Sequence, residues 1–107
     1  MTEVKDKRSL AERVLALLRA RERDLKERGV KHAVLFGSVA RGTHIPESDV
    51  DIALLTGERA KIGLFDIVDM EEELSRRLGR PVHLKVMRES RKSPVREAID
   101  REGLTAF

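Results

Sequence analysis

Two aspartates, Asp49 and Asp51, stand one residue apart in the run SDVDIALL, and ten residues separate them from the pair Gly37-Ser38. Val50 and Ile52 alternate with the acids, which predicts a strand. Alternate strand side chains point the same way, so both carboxylates leave one face while Val50 and Ile52 enter the core. Held about 6–7 Å apart, two such charges repel by about 2–3 kcal/mol at an effective dielectric of about 20. A divalent cation between them turns that repulsion into attraction. Oxygen ligands from one or two carboxylates suit Mg²⁺ that also holds nucleotide phosphates.

Upstream, the segment reads LFGSVARGTHIPESDVDIALL. Gly37 follows a buried apolar run and lets backbone approach a ligand closely. Ser38 offers a hydroxyl, and the N–H groups after it start a helical turn able to meet phosphate oxygens. Arg41 adds a cation near the same turn. Its alternative role is an internal salt bridge, with Asp49 as a candidate partner. Two aspartates on a solvent-facing strand edge are unremarkable alone. The upstream Gly37-Ser38 pair is what favours a metal and triphosphate site.

Positioning these residues requires a small α/β scaffold. Ser9 and Glu12 have the spacing of a capping box, and Leu10, Val14, Leu17, Leu18 and Leu25 follow at helical intervals until Gly29. AVLF, residues 33–36, predicts a buried strand, and Pro46 limits residues 38–48 to a loop with at most one turn. Residues 49–55 form the second strand. A helix over 62–78 follows, with Phe65, Val68 and Leu74 inward, and PVHLKVM, residues 81–87, is a third strand. Ser93-Pro94 opens a last helix that Gly103 closes, and residues 104–107 add an edge strand or tail. A loop joins the first two strands, which allows them to pair antiparallel. A helix joins the second and third, which predicts a crossover. The expected fold is a small mixed β-sheet with helices packed mainly on one face, in a single domain over residues 1–107.

Composition excludes several functions. The chain has 107 residues, no Cys, no Trp or Tyr and three Phe, so thiolate zinc sites and aromatic base-stacking platforms are not expected. No apolar run approaches the roughly 18 residues of a membrane span. Met1 to Arg8 is polar and unlike a secretory leader, so a cytoplasmic location without membrane contact is the expectation. The net charge of +3 is unevenly spread. Residues 32–75 carry three basic against nine acidic residues, between flanks in which basic residues prevail. An acidic centre between basic flanks suits a cation site beside surfaces for an anionic ligand or partner. For the first helix a solvated face is the better account.

Gly37-Ser38, the ten-residue gap and Asp49-x-Asp51 together resemble the signature of the DNA polymerase β-like nucleotidyltransferase superfamily. The string GSVARG…SDVDI resembles its smallest branch, the minimal nucleotidyltransferase (MNT) domains. That resemblance implies transfer of a nucleoside monophosphate, with ATP as the expected donor, to a hydroxyl with release of pyrophosphate. It implies that Gly37 and Ser38 hold the triphosphate and that Asp49 and Asp51 bind Mg²⁺. It also implies a HEPN-type partner protein in a hetero-oligomer, with the MNT chain as the antitoxin that neutralises it by binding, by adenylylation or by both. Nucleic acid is not expected as a direct substrate, since no second domain holds a template.

One position departs from the pattern. Members place a third carboxylate on the following strand, in a setting like PVDLV, where this chain has His83 in PVHLK. A neutral imidazole can ligate a metal or act as a base, and His83 is a candidate catalytic residue on that ground. It adds no negative charge, and Lys85, two residues on, brings a positive one to the same face. The alternative to an active enzyme is therefore a weak or inactive nucleotide-binding antitoxin subunit that acts by complex formation. Asp66, Asp69 and Glu71 to Glu73 read as a solvated helix face.

Overall fold

The computed structural model describes residues 9–107, so the expectation for Met1 to Arg8 lies outside the described residues. The elements run α1 (Leu10–Arg19), α2 (Glu22–Glu27), β1 (Val30–Phe36), α3 (Ser38–Arg41), β2 (Val50–Thr56), α4 (Leu64–Leu78), β3 (Val82–Arg88), α5 (Pro94–Glu102) and β4 (Leu104–Thr105). Ser9 caps α1 in a reciprocal capping box with Glu12, and Ser93 caps α5 ahead of Pro94.

The four strands lie in the order β3-β2-β1-β4. β1 is antiparallel to β2 and to β4, whereas β2 and β3 are parallel, joined by α4 as a crossover. Strand alternation sorts the side chains into two sets. Leu35, Val50, Ile52, Leu54, Val82 and Leu84 meet Val14 and Leu18 of α1, Leu25 of α2 and Leu74 and Leu78 of α4 in the main core. On the other face Val34, Ala53 and Leu55 meet Ile99 of α5, with Phe36 and Met87 at the margin. Helices therefore cover one face fully and the other only beneath α5.

Several local features differ from the sequence expectation. The first helix is two helices, because its apolar stripe is interrupted at Arg21, and the chain turns there so that the guanidinium meets Glu73 of α4 at 2.6 Å. β1 starts at Val30, earlier than the apolar run announces, since Lys31 and His32 are exposed polar residues on its rim. Phe65 and Val68 are not inward: they are 83% and 39% exposed. The inward stripe of α4 is Ile67, Met70, Leu74 and Leu78, and a helix rotated to serve those four turns Phe65 and Val68 away.

α4 does more than cover the sheet. β3 is an edge strand, and two of its outward N–H groups are taken by α4 side chains. Val82 N donates to Ser75 Oγ at 3.0 Å, and Leu84 N donates to Glu71 Oε2 at 2.8 Å. Glu71 is thus a structural acceptor and not part of a solvated face. Glu71→Leu is expected to lower unfolding free energy by about 1–2 kcal/mol, the range for stranding a part-buried donor, while Glu71→Gln, which keeps an acceptor oxygen, costs less. Urea titrations of the two variants check this; equal losses would remove the role assigned to the bond.

Candidate active site

β1 ends at Gly37, whose backbone sits at φ +81° and ψ −160°, a region open to glycine and strained for other residues. A Cβ placed there would stand 2.7 Å from Asp51 Oδ2. The backbone of residue 37 therefore lies directly against the Asp51 carboxylate. Ser38 opens the single turn of α3, which closes with Arg41 N bonding Gly37 O at 3.1 Å and Thr43 N bonding Ser38 O at 3.0 Å. The Gly37-Ser38 corner and Asp51 are brought together.

Asp51 lies within β2 and Asp49 immediately precedes that strand. Val50 and Ile52 are fully buried, which turns the acids to the opposite face. The loop that delivers Asp49 is pinned from β3's side. The Arg80 guanidinium donates to Ile45 O and to Ser48 O, each at 3.2 Å, and Val50 N donates to Pro81 O at 2.9 Å. Arg80 is a positioning residue that sequence reasoning missed, since nothing in one chain marks a helix-terminal arginine as a staple for a loop 35 residues away.

The parallel register sets Asp51 opposite His83 and Ala53 opposite Lys85. His83 Nε2 lies 2.8 Å from Asp49 Oδ2. Asp49, Asp51, His83 and Lys85 thus occupy one open region of the sheet face. Burial pushes the Asp51 carboxyl pKa up from its ordinary value, against the lowering influence of His83; the Asp49 charge raises it further and Lys85 lowers it. Arg41 does form an internal salt bridge, but with Glu102 of α5 at 3.2 Å and not with Asp49. Asp69 lines a cleft of about 210 Å³ between α2 and α4, with Arg21, Arg28 and Glu73, on the opposite side of the sheet. The neighbouring acids serve structure: Asp66 accepts from Gly63 N and pairs with Arg28, and Glu73 pairs with Arg21 and Arg77.

No group of three or more His, Cys, Asp or Glu side chains among the described residues is arranged to hold a metal ion. The two aspartates are an oxygen donor set that fits Mg²⁺ sharing its remaining positions with phosphate oxygens and water, not an all-protein cage. With no Cβ at Gly37, no side chain at that position crowds Asp51 Oδ2, which a Cβ would meet at 2.7 Å.

A family model described as a nucleotidyltransferase domain matches residues 17–104. The protein adenylyltransferase MntA of Thermococcus cleftensis is 37% identical over 92 residues, which span 85% of this chain and 90% of that protein. A crystal structure of a toxin–antitoxin with AMP-PNP matches with a TM-score of 0.63 at 22% identity, over 83% of this chain and 72% of that one. A structure of the tri-AMPylated HEPN toxin of Shewanella oneidensis in complex with its MNT antitoxin matches with a TM-score of 0.56 at 19% identity, over 87% and 71%. At those identities the two structures establish a shared fold.

Two measurements probe this geometry. Gly37→Ala carries both a strained φ and a Cβ against Asp51, so a loss of about 1–3 kcal/mol is expected in chemical unfolding; an unchanged midpoint would contradict the close approach. Asp51 has a folded-state pKa above its unfolded value, so its charged form costs stability, fully so above the folded pKa. That cost fades as pH falls through the folded value towards the ordinary 3.8. Asp51→Asn is therefore expected to melt higher than the parent at pH 7, with the gap closing as pH is lowered through that window. Melting curves that separate further on acidification would reverse the assignment.

Proposed function

Because this chain belongs to the nucleotidyltransferase domain family, we propose that it transfers AMP from ATP to a hydroxyl on a HEPN-type partner protein, as the antitoxin of a toxin–antitoxin pair. The observation that carries the reading is the Gly37 backbone packed against Asp51, with Asp49 and His83 beside them. Support for ATP comes from the adenylyltransferase relative. Support for the partner comes from the HEPN complex that shares this fold.

In this reading Gly37 and Ser38 cradle the triphosphate, and Asp49 and Asp51 would hold Mg²⁺. When bound, the ion neutralises charge on the transferring phosphate. The acceptor oxygen bonds to the α-phosphorus, the bond from that phosphorus to the bridging oxygen breaks, and pyrophosphate leaves. With its Nε2 proton on Asp49, His83 keeps the Nδ1 lone pair to take up the hydroxyl proton. Arg41 holds Glu102 through Nη1 and keeps its other N–H groups for the nucleotide, so its contribution is to affinity. Such transfer is chiefly positioning and electrostatics, which a small scaffold can supply. ATP use fits a cytoplasmic setting, and no helix among the described residues is long and apolar enough to cross a membrane.

His83 in place of a carboxylate favours a second reading, in which the chain binds nucleotide and partner but transfers slowly. Incubation with α-labelled ATP, Mg²⁺ and the HEPN-type partner, followed by a denaturing gel, separates the two. Label on the partner is expected, with Asp49→Asn and Asp51→Asn abolishing it and His83→Asp increasing it about tenfold or more. A stable complex without label would favour the binding reading. Labelling that survives loss of both aspartates would place the chemistry elsewhere.

A further inference from the structure

We infer that this site operates with one divalent cation, and that the Lys85 ammonium supplies the positive charge a second cation would otherwise bring. The inference rests on the nucleotidyl-transfer reading above and specifies how that site is charged. Two cations about 3.5–4 Å apart repel strongly and are held together by anionic side chains shared between them. Here the face offers two carboxylates, Asp49 and Asp51, and the third place in the register, opposite Asp51, is an imidazole. That imidazole is already engaged with Asp49 at 2.8 Å. No third acidic or histidine ligand joins them in a metal-holding group among the described residues.

Lys85 stands one step further along the same face. Its register partner is Ala53, which is fully buried, while the lysine itself stays at the surface. The Lys85 charge acts on the Asp51 carboxyl. The other cation near the nucleotide corner, Arg41, is tied to Glu102. An ammonium on a flexible stem can settle on a phosphate oxygen as a point charge, without needing a carboxylate to hold it there. Positions 83 and 85 then act together: an imidazole stands where the resemblance implies a carboxylate, and a built-in cation stands beside it.

The test counts Mn²⁺ bound per chain by electron paramagnetic resonance, at saturating non-hydrolysable ATP analogue, with nucleotide-only controls. One Mn²⁺ per chain is expected for the parent and two for the double variant His83→Asp with Lys85→Val. Lys85→Met should weaken the analogue about tenfold, and Lys85→Arg should restore most of that loss. Circular dichroism melts establish that each variant is folded. Two Mn²⁺ of similar affinity in the parent would overturn the inference while leaving the transfer reading intact. One Mn²⁺ with unchanged analogue affinity in Lys85→Met would overturn the role of the lysine. Absence of any Mn²⁺ binding with the analogue would overturn both the inference and the reading beneath it.

Discussion

The arrangement depends on how closely the end of one strand passes the carboxylate of the next. Asp51 Oδ2 stands 2.7 Å from the point where any side chain at residue 37 would begin. Everything else in the site follows from keeping that contact. The strand must stop at a glycine, the chain must turn at once into α3, and the acid-bearing strand must pair antiparallel with the one that stops. The antiparallel register supplies this by setting Phe36 opposite Asp51. Val50 and Ile52 lock the phase of β2, since a slip by one residue would drive both acids into the core.

Much of this was legible in the residues. The strand carrying the acids, the glycine–serine corner, the caps of α1 and α5 and the crossover between β2 and β3 each have a local signature with a single dominant cause. Where the structure departs from the sequence reading, the cause is a partner distant in the chain or a second apolar stripe on the same helix. The break at Arg21 answers to Glu73, the outward turn of Phe65 and Val68 answers to a competing stripe on the same helix, and Arg41 answers to Glu102. Period alone could not choose between two apolar faces of α4, because both are populated. The site residues were legible as types, whereas the contact between His83 and Asp49 required knowing that β3 lies parallel beside β2.

The electrostatics of the face are close to balance. Two carboxylates face one ammonium and one imidazole on adjoining strands, and burial makes the Asp51 carboxyl costlier to ionise than it is in water. In the proposed function such a face would hold its cation by sharing it with the arriving nucleotide, so that the two affinities would rise together. The same coupling explains why so few protein ligands can suffice. α5 covers β1 and part of β2 on this face, where Val34, Ala53 and Leu55 meet Ile99, so in the proposed reaction an acceptor would approach past β3 and the start of β2.

The side chains of Ser75 and Glu71 on the flank of β3 have one more consequence. A sheet edge normally invites a neighbouring chain to continue the ladder. Here the backbone of residues 82 and 84 is already spoken for. A companion molecule cannot lengthen the sheet through those positions without evicting a residue of α4. Contact on this flank must therefore be made by surface groups fitted to surface groups, a mode in which specificity is set by shape and charge and not by main-chain complementarity common to all polypeptides.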